Sequence, residues 1–148
     1  MHRTVVVILL ALSIGALSAC SNQQLSPWHT ERLSEEFVAS DTGVLTFADY
    51  LVKEERVFDE LREKVYSQVP TGSENGLVRY SSGSAADPQS YETNWNRSFE
   101  ITHKAPRGGV LLLHGMSDSP YSLHTIGETL ARQGYWVIGL RMPGHGTA

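Results

Sequence analysis

Cysteine is almost missing from this sequence. The 148 residues hold one, Cys20, so no internal disulfide can form and no disulfide framework holds the fold. The six histidines are scattered, without the Cys/His spacing of a zinc site. Basic excess is missing too. The formal net charge is -4, spread without long runs, whereas a nucleic-acid-binding surface usually rests on a basic patch; nucleic acid is therefore not an expected partner. No Gly-x-Gly-x-x-Gly follows a strand and no Gly-x-x-x-x-Gly-Lys occurs, which removes the common nucleotide-binding loops and leaves no cofactor to expect. Internal repeats are absent. No serine has glycine both two positions before it and two positions after it, so the Gly-x-Ser-x-Gly nucleophile elbow is missing. The longest apolar run, residues 5–12, is shorter than the ~20 residues a membrane-spanning helix needs. What remains is 41% hydrophobic and 19% charged, a balance that supports a core of one ordinary domain.

The apolar run is placed as an address. A short, weakly basic start (Met1, His2, Arg3) precedes it, and it fades through Ser13-Ile14-Gly15-Ala16, the layout of a secretory signal. Leu17-Ser18-Ala19-Cys20 then resembles the lipobox of bacterial lipoproteins. The resemblance implies lipidation of the Cys20 sulfur, cleavage before it, and acylation of the new N-terminus. Several acyl chains anchor stably where one binds only marginally. The partner so implied is the lipid bilayer, and the location is the cell envelope. Ser21 after the cysteine, in place of Asp, favours the outer membrane, facing the periplasm or the cell surface. An ordinary signal peptide with an incidental cysteine is the competing reading. Residues 1–19 are thus read as signal and residues 20–30 as a polar tether.

Residues 31–94 are read as a helical and loop segment. Thr46 can cap a helix and Asp49, three residues on, can answer it in a capping box. Tyr50, Leu51, Val57, Phe58, Leu61 and Val65 then recur at helical spacing. Glu54, Glu55, Asp59, Glu60, Arg62 and Glu63 are assigned to a solvated face, and Pro70-Thr71-Gly72 ends the helix. Paired catalytic carboxylates on that face are the less favoured reading, since nothing nearby separates one carboxyl group from another. Within the polar stretch that follows, Leu77-Val78-Arg79-Tyr80 reads as a short strand. Residues 95–102 alternate, with Trp95, Arg97, Phe99 and Ile101 on one face, as a half-buried strand does.

Gly109-Val110-Leu111-Leu112-Leu113 is wholly apolar and suits a strand covered on both faces of a mostly parallel sheet. A loop, His114-Gly115-Met116-Ser117-Asp118, leads to Ser119 as N-cap and Pro120 at the first helical position. A helix over residues 121–132 follows, with Leu123, Ile126, Gly127 and Leu130 toward the core and Gly134 ending it. Residues 135–140 form another buried strand, and Arg141-Met142-Pro143-Gly144-His145-Gly146 follow. Strand, helix, strand is a βαβ unit with parallel strands. Ligands of such sheets bind beyond the carboxyl ends of the strands, where both unusual loops lie.

These two loops and their strands resemble the α/β-hydrolase superfamily, nearest its esterase and monoacylglycerol-lipase-like members. The fold so implied is α/β, the N-terminal part of a mostly parallel sheet flanked by helices, over residues 95–148, preceded by the signal peptide and the helical segment. The resemblance makes the backbone N–H of Met116 one donor of an oxyanion hole, which stabilises charge developing on an attacked carbonyl. It makes His114 and Gly115 the supporting loop and Pro143, Gly144, His145 and Gly146 a wall of the substrate site. His114 braces the loop in this reading and is not the catalytic base. Ser117 and Asp118 beside it are loop residues, since such near neighbours cannot line up nucleophile, base and orienter. In chain order the family's acid and histidine come after its nucleophile, so the sequence is expected to be truncated, with the catalytic triad beyond Ala148 and the fragment alone inactive. The implied activity of the full-length protein is serine-dependent hydrolysis of a carboxylic ester, on a small-molecule ester or lipid substrate. A non-catalytic surface lipoprotein that binds through a hydrolase-like domain, or an acyl transferase on the same fold, are the alternatives.

Overall fold

A computed structural model describes residues 25–147; Cys20 and the expected signal lie outside them. The described residues form helices α1 (Pro27–Thr30), α2 (Phe47–Lys64) and α3 (His124–Arg132), and strands β1 (Phe99–Ile101), β2 (Gly109–Leu113) and β3 (Trp136–Leu140).

Helix α2 begins at the expected capping box. The Asp49 N–H donates to Thr46 Oγ1 at 3.1 Å, and the Thr46 N–H donates to the Asp49 carboxylate at 2.9 Å. The helix passes into a 3-10 turn, Tyr66–Gln68, and stops before Pro70. Its apolar stripe delivers Phe58, Leu61, Val65 and Tyr66 to the main buried cluster, which Trp28, Leu33 and Tyr80 close from outside. Pro27–Thr30, assigned by sequence to the end of a polar tether, instead form one helical turn that brings Trp28 onto Tyr80, ring centroids 5.3 Å apart.

The acidic face of α2 is not a uniform solvated surface. Glu54 and Glu60 are buried, while Glu55, Asp59 and Glu63 are exposed. Periodicity assigns a residue to a face but does not show what wraps over that face. Segment 33–36 does so here: Ser34 N–H and Oγ and the Glu35 N–H all donate to the Glu60 carboxylate at 2.6–2.9 Å, and Lys64 pairs with it at 2.7 Å. Burial works against the Glu60 charge, but the Lys64, Ser34 and Glu35 donors overcome it and bring its pKa down to about 2.

Residues 77–80 are not a strand. They lie in consecutive turns, with Val78 N–H to Asn75 O, Ser81 N–H to Val78 O and Ser84 N–H to Ser81 O, each near 3.0 Å. The organiser is Asp87, whose carboxylate accepts from Gly83 N–H, Gln89 N–H, Ser90 Oγ and Tyr66 OH. Short Ser and Asp side chains compete with strand pairing in this way. The strand expected over 95–102 is likewise shortened to Phe99–Ile101. Arg97 N–H turns back to Asn94 O, and Ser98 N–H goes to the Glu54 carboxylate instead of a neighbouring strand.

The sheet order is β1-β3-β2, with β1 antiparallel and β2 parallel to β3. Helix α3 links the parallel pair. The expected helix enters through a 3-10 turn, Pro120–Leu123, and the Ser119 side chain makes no cap. Its end is a Schellman motif: Gly134, at φ +91°, donates to Ala131 O and Tyr135 N–H donates to Leu130 O. Gly127 is the buried contact point of α3, where a Cβ would stand 3.1 Å from the Phe99 ring. Ile126 lies off that line and is exposed, contrary to expectation. Strand β2 also departs from the both-faces-covered expectation. It is an edge of the described sheet, so Val110 and Leu112 are half-buried and Leu111 and Leu113 are exposed.

Candidate functional site

Parallel neighbours deliver their following loops to one end of the sheet. There β2 runs into His114-Gly115-Met116 and β3 into residues 141–147. His114 is buried and joins the two loops. Met142 N–H donates to its Nε2 at 3.1 Å, and its Nδ1 lies 2.9 Å from Gly115 O. The tautomer that satisfies both contacts carries hydrogen on Nδ1. Both ring nitrogens are therefore engaged within the loops.

The second loop turns at Met142-Pro143-Gly144-His145. His145 N–H donates to Met142 O at 3.0 Å and Gly144 sits at φ +76°, the pattern of a type II turn with Pro at its second and Gly at its third place. Gly146, at φ +74°, passes so close to Asn96 that a Cβ would lie 2.8 Å from the Asn96 Cβ. His145 faces His114 edge-on at 5.3 Å and its Nδ1 meets Pro143 O at 3.1 Å. Gly115 has no left-handed φ, and no atom lies within 4 Å of where its Cβ would be. Among the described residues, then, no contact demands glycine there.

Arg141 anchors the second loop, and its role is not visible in the sequence pattern. Its side chain is 1% exposed. Nη2 and Nη1 reach the Glu36 carboxylate at 2.6 and 3.2 Å, Nε reaches Glu54 at 3.3 Å, and Nη1 also donates to His145 O at 3.1 Å. The Arg141 backbone is gripped as well: its N–H donates to Ser98 Oγ and its carbonyl accepts from Tyr50 OH, both at 2.8 Å. Burial opposes the guanidinium charge, and the Glu36 carboxylate outweighs it, so the Arg141 pKa is raised. Thr147 completes the clasp, its Oγ1 donating to Glu36 and its carbonyl accepting from Tyr80 OH. The loop that carries Gly144 to Gly146 is thus fixed by segments 36–54 and 80–98.

Between the loops lies an open cleft of about 340 Å³, walled by Met116–Ser119 on one side, Gly144–Gly146 on the other, and Arg79 and Asn96. Met116 is 90% exposed. Among the described residues, its N–H donates to no protein acceptor. Among the described residues Ser117 is hydrogen-bonded to neither neighbour: the nitrogens of His114 are engaged, and Asp118 takes the Ser119 N–H at 2.8 Å. Hydrogen bonding from Ser122 and Ser119 lowers the Asp118 pKa, with His114 adding a smaller effect. A compact triad at 114–118 is not assembled. The structure brings together Met116, His114, Gly115, Gly144, His145 and Gly146, while Pro143 projects at the exposed corner of the turn. No group of metal-ligating residues occurs among the described residues, and no helix among them is long and apolar enough to cross a membrane.

One segment of 39 residues is 46% identical to the thermostable monoacylglycerol lipase of Bacillus sp. (strain H-257), covering 26% of this chain and 16% of the lipase. The chain therefore spans a small part of the length of that relative, and the likeness is local, to an esterase or lipase-like hydrolase. Scanned against known protein families the chain matches none, and no solved structure matches it.

Proposed function

We propose that the chain is the opening part of a lipid-anchored α/β-hydrolase that cleaves carboxylic esters with a serine nucleophile supplied by residues that follow this sequence. The observation that carries the reading is the Met116 N–H, without an acceptor among the described residues and beside a cleft, on a loop braced by His114 at the carboxyl end of a parallel strand pair. Such a donor stabilises an oxyanion only if it is held in place before the reaction. His114 and the Arg141 clasp provide that fixity. The local likeness to a monoacylglycerol lipase supports an ester or lipid as substrate. Bilayer anchoring rests on Cys20 and the leader before it.

The protein expressed from its native gene tests this. A fluorophosphonate probe should label one serine and abolish turnover of a short acyl ester, and cells fed a labelled fatty acid should label the wild type but not Cys20→Ala. Ester turnover that survives complete probe treatment would sink the serine mechanism, and equal lipid labelling of both forms would sink the anchor.

A further inference from the structure

Asn96 is the mostly buried amide of the cleft wall. It is 9% exposed and lines the cleft together with His145 and Gly146. Its backbone N–H donates to Asn94 Oδ1 at 3.1 Å, but its side-chain Nδ2 and Oδ1 have no hydrogen-bond partner among the described residues. The sealed side-chain polar atoms without a partner among those residues are Arg79 Nε and Nη2. The Asn96 amide is not one of them, so it keeps open surface, and the hollow it lines is the cleft. A buried polar group left without a partner costs stability, which a ligand that completes it recovers.

His145 supplies the complementary atom. Its Nδ1 lies 3.1 Å from Pro143 O, and a carbonyl only accepts, so this contact puts the ring hydrogen on Nδ1. Nε2 is then an acceptor, and it too has no partner among the described residues. The two residues are held close. A Cβ on Gly146, the next residue after His145, would lie 2.8 Å from the Asn96 Cβ, and Arg141 Nη1 fixes the His145 carbonyl. A free donor beside a free acceptor matches a hydroxyl group, which accepts from Nδ2 and donates to Nε2. An ether oxygen can use only the first, and a methyl group neither.

We infer that Asn96 and His145 are the hydroxyl-recognition pair of this cleft, and that the ester it takes carries a free hydroxyl close to the ester bond. The inference rests on the proposed ester-hydrolase reading for the reaction, but the recognition pair itself needs no nucleophile. The hydroxyl belongs to the alcohol part or to the acyl part of the ester, and the test separates the two.

The protein expressed from its native gene is assayed on two matched pairs. 2-Hydroxyethyl butyrate against propyl butyrate places the hydroxyl on the alcohol side; methyl 3-hydroxybutanoate against methyl 3-methylbutanoate places it on the acyl side. In one pair the hydroxylated ester should show a KM about 10-fold lower, the effect of two added hydrogen bonds, and that pair identifies the side. Asn96→Leu should bring the two KM values of the pair together. Asn96→Asp, which keeps the shape but replaces the donor with an acceptor, should do the same, and thermal unfolding shows that both variants fold. A second readout needs no turnover. The side-chain amide resonance of Asn96, assigned by its loss in Asn96→Asp, should move on adding the ketone analogue of the preferred hydroxylated ester and stay in place with the methyl counterpart. A moving resonance in a protein without ester turnover would sink the hydrolase reading and leave the recognition pair standing. Equal KM values within both pairs, or an Asn96 amide that responds alike to hydroxylated and methyl ligands, would overturn the inference.

Discussion

Arg141 joins its own loop to two distant parts of the chain, because Glu36, Glu54 and the His145 carbonyl all converge on one guanidinium. Replacing it with methionine keeps much of the volume but leaves Glu54, 2% exposed, and Glu36 facing each other without a cation. Breaking a buried pair in this way costs about 3–5 kcal/mol. Arg141→Met should therefore lower the urea midpoint sharply, and a midpoint within error of the wild type would contradict the clasp. Glu60 gives a pH signature. Its folded pKa is about 2 against an ordinary 4.5, so the unfolded chain binds its proton first as the solution is acidified. Its contribution is fully present above pH 4.5 and is lost as pH falls through about 2. Glu60→Gln should flatten the acid limb of the stability curve, with equilibrium unfolding at pH 6 and pH 3 as the check. An unchanged limb would show that the Ser34 and Lys64 contacts contribute nothing. Neither residue stands out in the sequence. Glu60 reads as one more solvated helix charge, and Arg141 lies 105 positions from Glu36, a separation no local pattern encodes. The bracing place of His114 comes from the resemblance to the α/β-hydrolases and from no local pattern of its own; in the structure both its ring contacts are to atoms within or beside the two loops.

At the scale of elements, Phe99 is the pin of the small sheet. Its ring lies between β3 and α3, over two positions that have no side chain. A Cβ on Gly139 would stand 2.1 Å from the ring, and one on Gly127 would stand 3.1 Å from it. Gly139 pairs directly with Phe99 in the β1–β3 register. Gly139→Ala should thus cost about 1–3 kcal/mol, as overpacking of a close contact does, and double replacement with Phe99→Leu should recover part of the loss. An unperturbed single variant would mean that the ring does not sit there. The elements with strong local signals were readable in advance: the Thr46–Asp49 box and the Gly134 stop both act within a few residues. The elements that differ are those decided by remote partners. Strand β1 loses its start to Glu54 and Asn94, and residues 77–80 become turns around Asp87.

On the scale of the whole molecule, the main buried cluster belongs to the segment before the sheet, centred on Phe58, Leu61, Val65 and Tyr66. The described sheet keeps an apolar face of Leu111, Trp136 and Ile138 in a shallow hollow of about 350 Å³. Aggregation follows from such a face when it is left open. The segment ahead of the sheet does more than tether it, because Glu36, Tyr50, Glu54 and Tyr80 hold the loop that forms one wall of the cleft. The central claim, that the Met116 N–H is an oxyanion donor, separates side chain from backbone in a way one pair of variants can read. In the protein expressed from its native gene, Met116→Ala keeps the N–H and should keep kcat for a short acyl ester within a few-fold. Met116→Pro removes it and should lower kcat by about 10²–10³, with circular dichroism and thermal unfolding unchanged between the two. A Met116→Pro protein that turns over as fast as Met116→Ala would contradict the account.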